Sequence, residues 1–490
     1  MSRRGAIALA VCAAVVAAAV VIWVGGRDDS QEVAPGIRPE AASTTASTAP
    51  AVVGSPGAPG VGDPYYPELG NGGYDVEHYD LDLTWLADDG RLDGLARIEA
   101  TATQDLSRFN LDLAGLDVGS VTVDGEVATS ERSARELVIT PPGAIAIGSR
   151  FVVEVAYDGI PMPIPDGTDL FEVGWQTDGR EAFVVAEPGG ASTFFPVNDH
   201  PSDKATYSFE VTAPADQAVA ANGLLVGEPV TEGTDRTWAY EAPEPMASYL
   251  VQVAIGDYVL EDAGEVDGVT LRHALHRSFA AEARDTVSRP GEMVEVLSDI
   301  FGPYPFASYG VVAVDEPLGF ALETQTLTII GSDVGRRGRG SDQLLLHELA
   351  HQWVGNWVSP ATWQDIWLNE GFASYAEWLW IERIGGPPAA DAARVVHEKA
   401  GRDLDVPPGD PGAHELFQAT VYLRGALALQ GLREIIGDGA FFELLHTWVD
   451  EHGGGVATTA DLVDLAERVS GHQLDAHFDA WLYADRMPDL

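Results

Sequence analysis

The residues His347-Glu348-Leu349-Ala350-His351, with Glu370 following after eighteen intervening positions, constrain the fold more than any other part of the sequence. Histidines at i and i+4 project from one face of an α-helix, so both imidazoles can grip a single metal ion. Glu348 then sits beside the metal without being a ligand. Glu370, in Trp367-Leu368-Asn369-Glu370-Gly371, offers a carboxylate from the next helical stretch. Two nitrogens, one oxygen and an open fourth position describe a catalytic zinc centre rather than a structural one.

A bare His-Glu-x-x-His in a chain with 12 His and 76 acidic residues arises by chance in roughly one chain in fifty. The set downstream Glu lowers that by about another order of magnitude. The local context is helical as well. Ser341 or Asp342 can cap, Leu344, Leu345, Leu349 and Trp353 supply an apolar face, and no proline intervenes before Pro360.

At 490 residues the chain can hold two or three domains, each with its own core. A net charge of −48 argues against nucleic acid as a partner, because phosphate binding needs a basic surface. The single cysteine, Cys12, lies in the N-terminal apolar run, so the folded part carries no disulfide. That run, Gly5 to Gly26, is uncharged and follows Arg3 and Arg4. Its length suits a membrane span, and the arginines favour a cytoplasmic N-terminus. Residues 1–27 therefore read as a signal or a membrane anchor; Ala17-Ala18-Ala19 offers a cleavage site that would release a secreted form. Either way the rest of the chain is expected to face outward from the cell membrane.

Residues 28–70, rich in Ala, Pro, Ser, Thr and Gly, read as a disordered tether. Residues 71–270 show short alternating runs such as His78-Tyr79-Asp80-Leu81-Asp82-Leu83 and Phe151-Val152-Val153-Glu154-Val155, with turns at Asp88-Asp89-Gly90 and Asp124-Gly125. This pattern predicts an antiparallel β domain. From about Ala280 the period becomes helical, apart from strand-like Tyr309–Asp315 and Thr326–Ile330, so residues 271–490 form a mainly helical domain. The expected fold class is α+β, in two domains. Six of the twelve tryptophans lie between Trp353 and Trp380 and are expected to pack the metal-bearing helices rather than line a cleft. His200, His273 and His276 lack metal-spacing partners and read as structural.

The spacing of His-Glu-x-x-His to Asn-Glu-Gly-Phe-Ala resembles the M1 (gluzincin) family of zinc aminopeptidases. Four further segments agree with that family in its own order: Phe195-Pro196-Val197-Asn198-Asp199-His200-Pro201-Ser202-Asp203-Lys204-Ala205, Met246-Ala247-Ser248-Tyr249-Leu250, Gly319-Phe320-Ala321-Leu322-Glu323-Thr324 and Val421-Tyr422-Leu423-Arg424-Gly425-Ala426. The resemblance covers about residues 70 to 490. It implies a thermolysin-like zinc peptidase domain, one Zn2+ per chain and peptide substrates with a free N-terminus. It also implies a form without the further helical domain that many members carry.

Metal ligands are then His347, His351 and Glu370, with Glu348 as general base. By resemblance Tyr422 is the catalytic tyrosine, donating to the oxyanion. Glu377, seven residues after Glu370 on the same helical face, is placed to orient a ligand or to be a solvated edge residue. Exopeptidase action needs a carboxylate opposite the free α-ammonium. By resemblance Glu323 and Glu187 fill that role, and Gly319 to Ala321 pair with the substrate backbone. The chain departs from the family at Thr324, where Asn is usual, and at Phe320 and Leu322. The alternatives at this point are a zinc hydrolase of other specificity, either an endopeptidase or an epoxide hydrolase, and a non-catalytic binding module.

Overall fold

The computed structural model of the chain describes residues 53–489, except 169–170 and 401–403. The apolar run 5–26 and the tether up to residue 52 lie outside the described residues. Among the described residues, no helix is long and apolar enough to cross a membrane.

The N-terminal module is built of β-sheet. Its nine-stranded sheet centres on Tyr74–Leu86, Arg91–Ala102, Arg150–Gly159, Lys204–Pro214 and Asp235–Ala247. Buried positions recur every second residue in Lys204–Pro214, as a strand with one face on a core requires. The expectation of an antiparallel domain holds for most pairs but not all. Lys204–Pro214 lies parallel to Tyr74–Leu86, with Thr206 opposite His78 and Thr212 opposite Thr84. These strands are more than a hundred residues apart in sequence, so no hairpin dictates their direction.

Two expected boundaries need correction. The tether was expected to reach residue 70, but Ser55–Pro56 already pairs with Leu106–Asp112. Residues 63–66 are pinned by the buried Asp63 carboxylate, which accepts backbone N–H groups from Tyr65 (2.7 Å), Tyr66 (2.8 Å) and Trp363 (2.8 Å). His200 Nε2 stands 3.1 Å away on the same carboxylate. Burial raises the pKa of Asp63, but these hydrogen bonds outweigh it and the net direction is down. Composition hid this because one buried acid carries the attachment. The second boundary is that between domains. Tyr258–Val266 pairs with Val269–His276 in a sheet continued by Ser308–Ala313, Thr328–Ile330 and Ala321–Leu322. That sheet therefore runs across the boundary expected between residues 270 and 271.

The remaining elements are mainly helices. Pro290–Phe301 opens with proline at its first turn, where no N–H is missed. Asp342–Ala350 and Trp367–Arg383 carry the metal-site motif and pack on each other, and Ala419–His452 packs against the second. That last segment is two helices joined at Gly437, whose φ of 77° only glycine adopts readily. Five of the six tryptophans pack as expected: Trp353, Trp363 and Trp367 are wholly buried and Trp378 and Trp380 nearly so, while Trp357 is only partly buried and lines a cavity with Pro303 and Tyr304.

The motif Phe195–Ala205 locks the two modules together. Lys204 Nζ donates to the carbonyls of Asn356 (2.8 Å) and Trp357 (2.9 Å), just beyond the first metal-site helix. Burial lowers the Lys204 pKa to about 7. Asp199 accepts from Ser248 Oγ (2.8 Å) and Ser192 N (3.0 Å), which ties this motif to Met246–Leu250.

Candidate active site

His347 lies in the last turn of Asp342–Ala350 and His351 caps it, with ring centroids 4.8 Å apart. Glu370 enters from the first turn of Trp367–Arg383. Its Oε2 lies 3.1 Å from His347 Nε2 and 3.5 Å from His351 Nε2. The other ring nitrogens are already engaged. His347 Nδ1 faces Glu377 Oε1 at 2.8 Å and His351 Nδ1 faces the Val354 carbonyl at 3.1 Å. Both Nε2 atoms are thereby aimed at Glu370, the arrangement by which outer partners fix an imidazole for a metal. Glu377 is a positioning residue rather than a solvated one, and Gln343 Nε2 donates to its second oxygen. Sequence reasoning missed Gln343, although it stands one turn before His347 on the same helix face.

The donor atoms of His347, His351 and Glu370 all lie within 4.8 Å of one another, and all three residues are buried. Two nitrogens and one carboxylate suit zinc. The surroundings call for a cation as well. Glu348, Glu323 and Glu187 are also buried here, and no lysine or arginine forms an ion pair with any of them among the described residues. Burial pushes the Glu348 carboxyl up to about 8; His347 and His351 oppose this, and Glu323 and Glu370 add to it. Glu187 is raised by burial and by the charges of Glu323, Glu370 and Glu348. Such crowding of buried acids is relieved by a divalent ion, so the residues present fit zinc.

Tyr422 stacks beside His347, with centroids 5.9 Å apart and planes inclined by 22°. A close helix crossing brings it there. A Cβ on Gly371 would stand 3.0 Å from Gly425 Cα, and one on Gly425 would stand 2.9 Å from Gly371 Cα. Only glycine at both positions permits that approach, which explains the Gly-Phe-Ala and Gly-Ala portions of the two motifs in physical terms.

Glu323 and Glu187 converge from different modules. Glu323 follows the edge strand Ala321–Leu322, and its backbone carbonyl is clamped by Gln352 Nε2 (2.9 Å) and Asn356 Nδ2 (2.7 Å). Glu187 follows the strand Ala182–Val185 of the N-terminal module. Each is more than nine-tenths buried, and each has an Oε1 with no hydrogen-bond partner. Buried carboxylate oxygens of this kind are completed by a water, an ion or a ligand.

Ala321–Leu322 pairs antiparallel with Thr328–Ile330 on one side and ends the sheet on the other. Its free side is open to an added strand. Gly319 lies outside this strand with φ 79°. Ala321 is therefore in the edge strand as expected, while Gly319 shapes its approach. Thr324, where the resemblance leads one to expect Asn, donates its hydroxyl to the Leu327 carbonyl and closes the turn. The three histidines read as structural have protein partners: His200 with Asp63, His273 with the Val311 N–H (3.2 Å) and His276 with Glu181 (3.2 Å).

Comparison with known proteins agrees with this geometry. The peptidase family M1 domain matches residues 290–481, and the peptidase M1 N-terminal domain matches residues 75–250. Aminopeptidase N of Streptomyces lividans is 26% identical over 436 residues, covering 83% of this chain and 50% of that protein. The chain thus spans about half the length of that curated relative. The crystal structure of an M1 zinc metallopeptidase from Deinococcus radiodurans superposes with a TM-score of 0.81 at 33% identity, covering 88% of this chain and 98% of the other. A mutant of an M1 zinc metallopeptidase from that organism, solved with a Tyr-Ser-Ala substrate, gives 0.82 at 33% identity, covering 88% and 99%.

Proposed function

The chain belongs to peptidase family M1, and we propose from this that it is a zinc aminopeptidase that removes the N-terminal residue of peptides. The observation that carries the reading is the pair of buried, unpartnered carboxylate oxygens on Glu323 and Glu187. A free α-ammonium completes them, whereas an internal peptide leaves two charges buried and unpaired. This disfavours an endopeptidase. The tripeptide bound to the Deinococcus relative supports a peptide substrate.

His347, His351 and Glu370 would hold the zinc, which when bound supplies Lewis-acid polarisation of the scissile carbonyl and an acidified water. Glu348 takes the proton of the attacking water and passes it to the leaving amine. The Tyr422 hydroxyl donates to the oxygen on which negative charge develops. Glu323 and Glu187 hold the ammonium, and the edge strand at Ala321 aligns the substrate backbone. Glu377 keeps His347 in one tautomer and one orientation.

Purified protein is expected to carry about one zinc per chain and to lose activity to a chelator, with recovery on adding zinc back. Full activity in a metal-free preparation would end the reading. The apolar run 5–26 and its preceding arginines support an anchor or export signal that leaves the catalytic module outside the cytoplasm. Protease added to intact cells is then expected to destroy the activity. A soluble cytoplasmic pool holding most of the activity would contradict this placement.

A further inference from the structure

Lys204 reaches from the N-terminal module to the loop that follows the first metal-site helix. An ammonium has three hydrogens to donate, and this one meets three carbonyls: Asn356 at 2.8 Å, Trp357 at 2.9 Å and Gly455 at 3.4 Å. The centre of the Trp357 ring lies 6.0 Å from it. Among the described residues no carboxylate pairs with it, and burial lowers its pKa with no acid to offset the effect. A cation held by carbonyls alone grips main chain, through hydrogen bonds stronger than those of a neutral donor. The main chain in turn sets where each side chain starts.

The segment so held is the one that grips Glu323. It closes on itself, with the Asn356 N–H donating to the His351 carbonyl at 2.9 Å and the Gly355 N–H to the Val358 carbonyl at 2.8 Å. Asn356 Nδ2 donates to the Glu323 carbonyl at 2.7 Å. Asn356 is wholly buried and its Oδ1 has no hydrogen-bond partner, so its amide is fixed by that bond and by its own backbone. That backbone is what Lys204 holds. Asn356 alone therefore stands between the Lys204 ammonium and the Glu323 carbonyl. Gln352 braces the same turn separately, donating to the Glu323 carbonyl at 2.9 Å and accepting the Thr326 N–H at 2.8 Å.

We infer that Lys204 is a positioning residue for Glu323: by holding the Asn356 backbone it sets how the Glu323 carboxylate meets the α-ammonium of the substrate. This rests on the aminopeptidase reading, in which Glu323 binds that ammonium. The pair exists in the bound substrate as well as in the transition state, so a displaced Glu323 raises KM more than it lowers kcat. A misplacement of about 1 Å costs up to about a hundredfold. With Gln352 still in place the loss is smaller.

The test is a double-mutant cycle between Lys204→Met and Glu323→Ala, read on one peptide with its α-amine free and acetylated. Methionine keeps an unbranched side chain and removes the donors. Lys204→Met is expected to keep its zinc and to lose about tenfold in kcat/KM on the free peptide, mostly through KM. On the acetylated peptide it is expected to change by less than about twofold. In the Glu323→Ala background the same substitution is expected to cost less than about twofold on either peptide, because the group it places is gone. A full tenfold loss in that background, equal losses on both peptides, or no loss in a folded Lys204→Met enzyme would each overturn the inference. If Lys204→Met does not fold, Asn356→Ala decides. It leaves the carbonyls that Lys204 holds and removes the last link, and a folded Asn356→Ala enzyme without the same selectivity and non-additivity overturns the inference. Glu323→Ala alone separates the two readings. If it loses equally on both peptides, Glu323 does not read the ammonium and this inference falls with that reading. If it loses on the free peptide only while Lys204→Met loses nothing, only the role of Lys204 falls.

Discussion

Glu348→Gln is expected to bind zinc as the wild type does and to lose about three to four orders of magnitude in kcat. The amide keeps the shape of the side chain but can neither accept the proton of the attacking water nor return it to the leaving amine. At about 1.4 kcal/mol per tenfold, this corresponds to roughly 4–6 kcal/mol of lost transition-state stabilisation. Metal content decides between two geometries that the buried cluster contains. The donors of His347, His351 and Glu370 converge within 4.8 Å, but so do those of His351, Glu323 and Glu348. Were the second set the metal site, Glu348→Gln would strip the zinc. Zinc retained together with lost turnover places Glu348 as the base; zinc lost, or turnover kept, assigns it elsewhere.

The metal site was the most legible part of the sequence, because it depends on local geometry. A helix converts the i, i+4 spacing of His347 and His351 into a shared face, and the seven-residue step from Glu370 to Glu377 places both on one side of their helix. Glu323 and Glu187 could be named only through resemblance. No spacing relates residues that come from an edge strand and from another module's sheet. That their oxygens are buried without partners is a property of packing, invisible in one dimension.

The boundaries failed where a single contact outweighs composition. Residues 53–70 look like linker, yet one buried Asp63 carboxylate fastens them to Trp363. Tyr258–Val266 reads as one more strand of the β domain, but it pairs with Val269–His276 in the sheet that Ser308–Ala313 continues. The parallel neighbour of Tyr74–Leu86 was equally hidden, because alternation reports burial and not strand direction. The close crossing at Gly371 and Gly425, by contrast, gives a physical reason for two motif glycines that resemblance had supplied without one.

The central claim is that this enzyme counts from the N-terminus, and Glu323 is where that is read most directly. Its carboxylate is buried, its Oε1 has no partner, and its backbone is held by Gln352 and Asn356. Removing one partner from a buried charge pair costs about 2–5 kcal/mol, or between one and four powers of ten in kcat/KM. The measurement is kcat/KM for one peptide with its α-amine free and acetylated, on the wild type and on Glu323→Ala. The wild type is expected to cleave only the free form efficiently, releasing its first residue. Glu323→Ala is expected to lose between one and four powers of ten on the free peptide and to change little on the acetylated one, which never had the ammonium to pair. Glu187→Ala should repeat the pattern with a smaller loss if the two carboxylates share the charge. Equal losses on both peptides, with zinc still bound, would mean that Glu323 supports the fold or the metal and does not read the N-terminus.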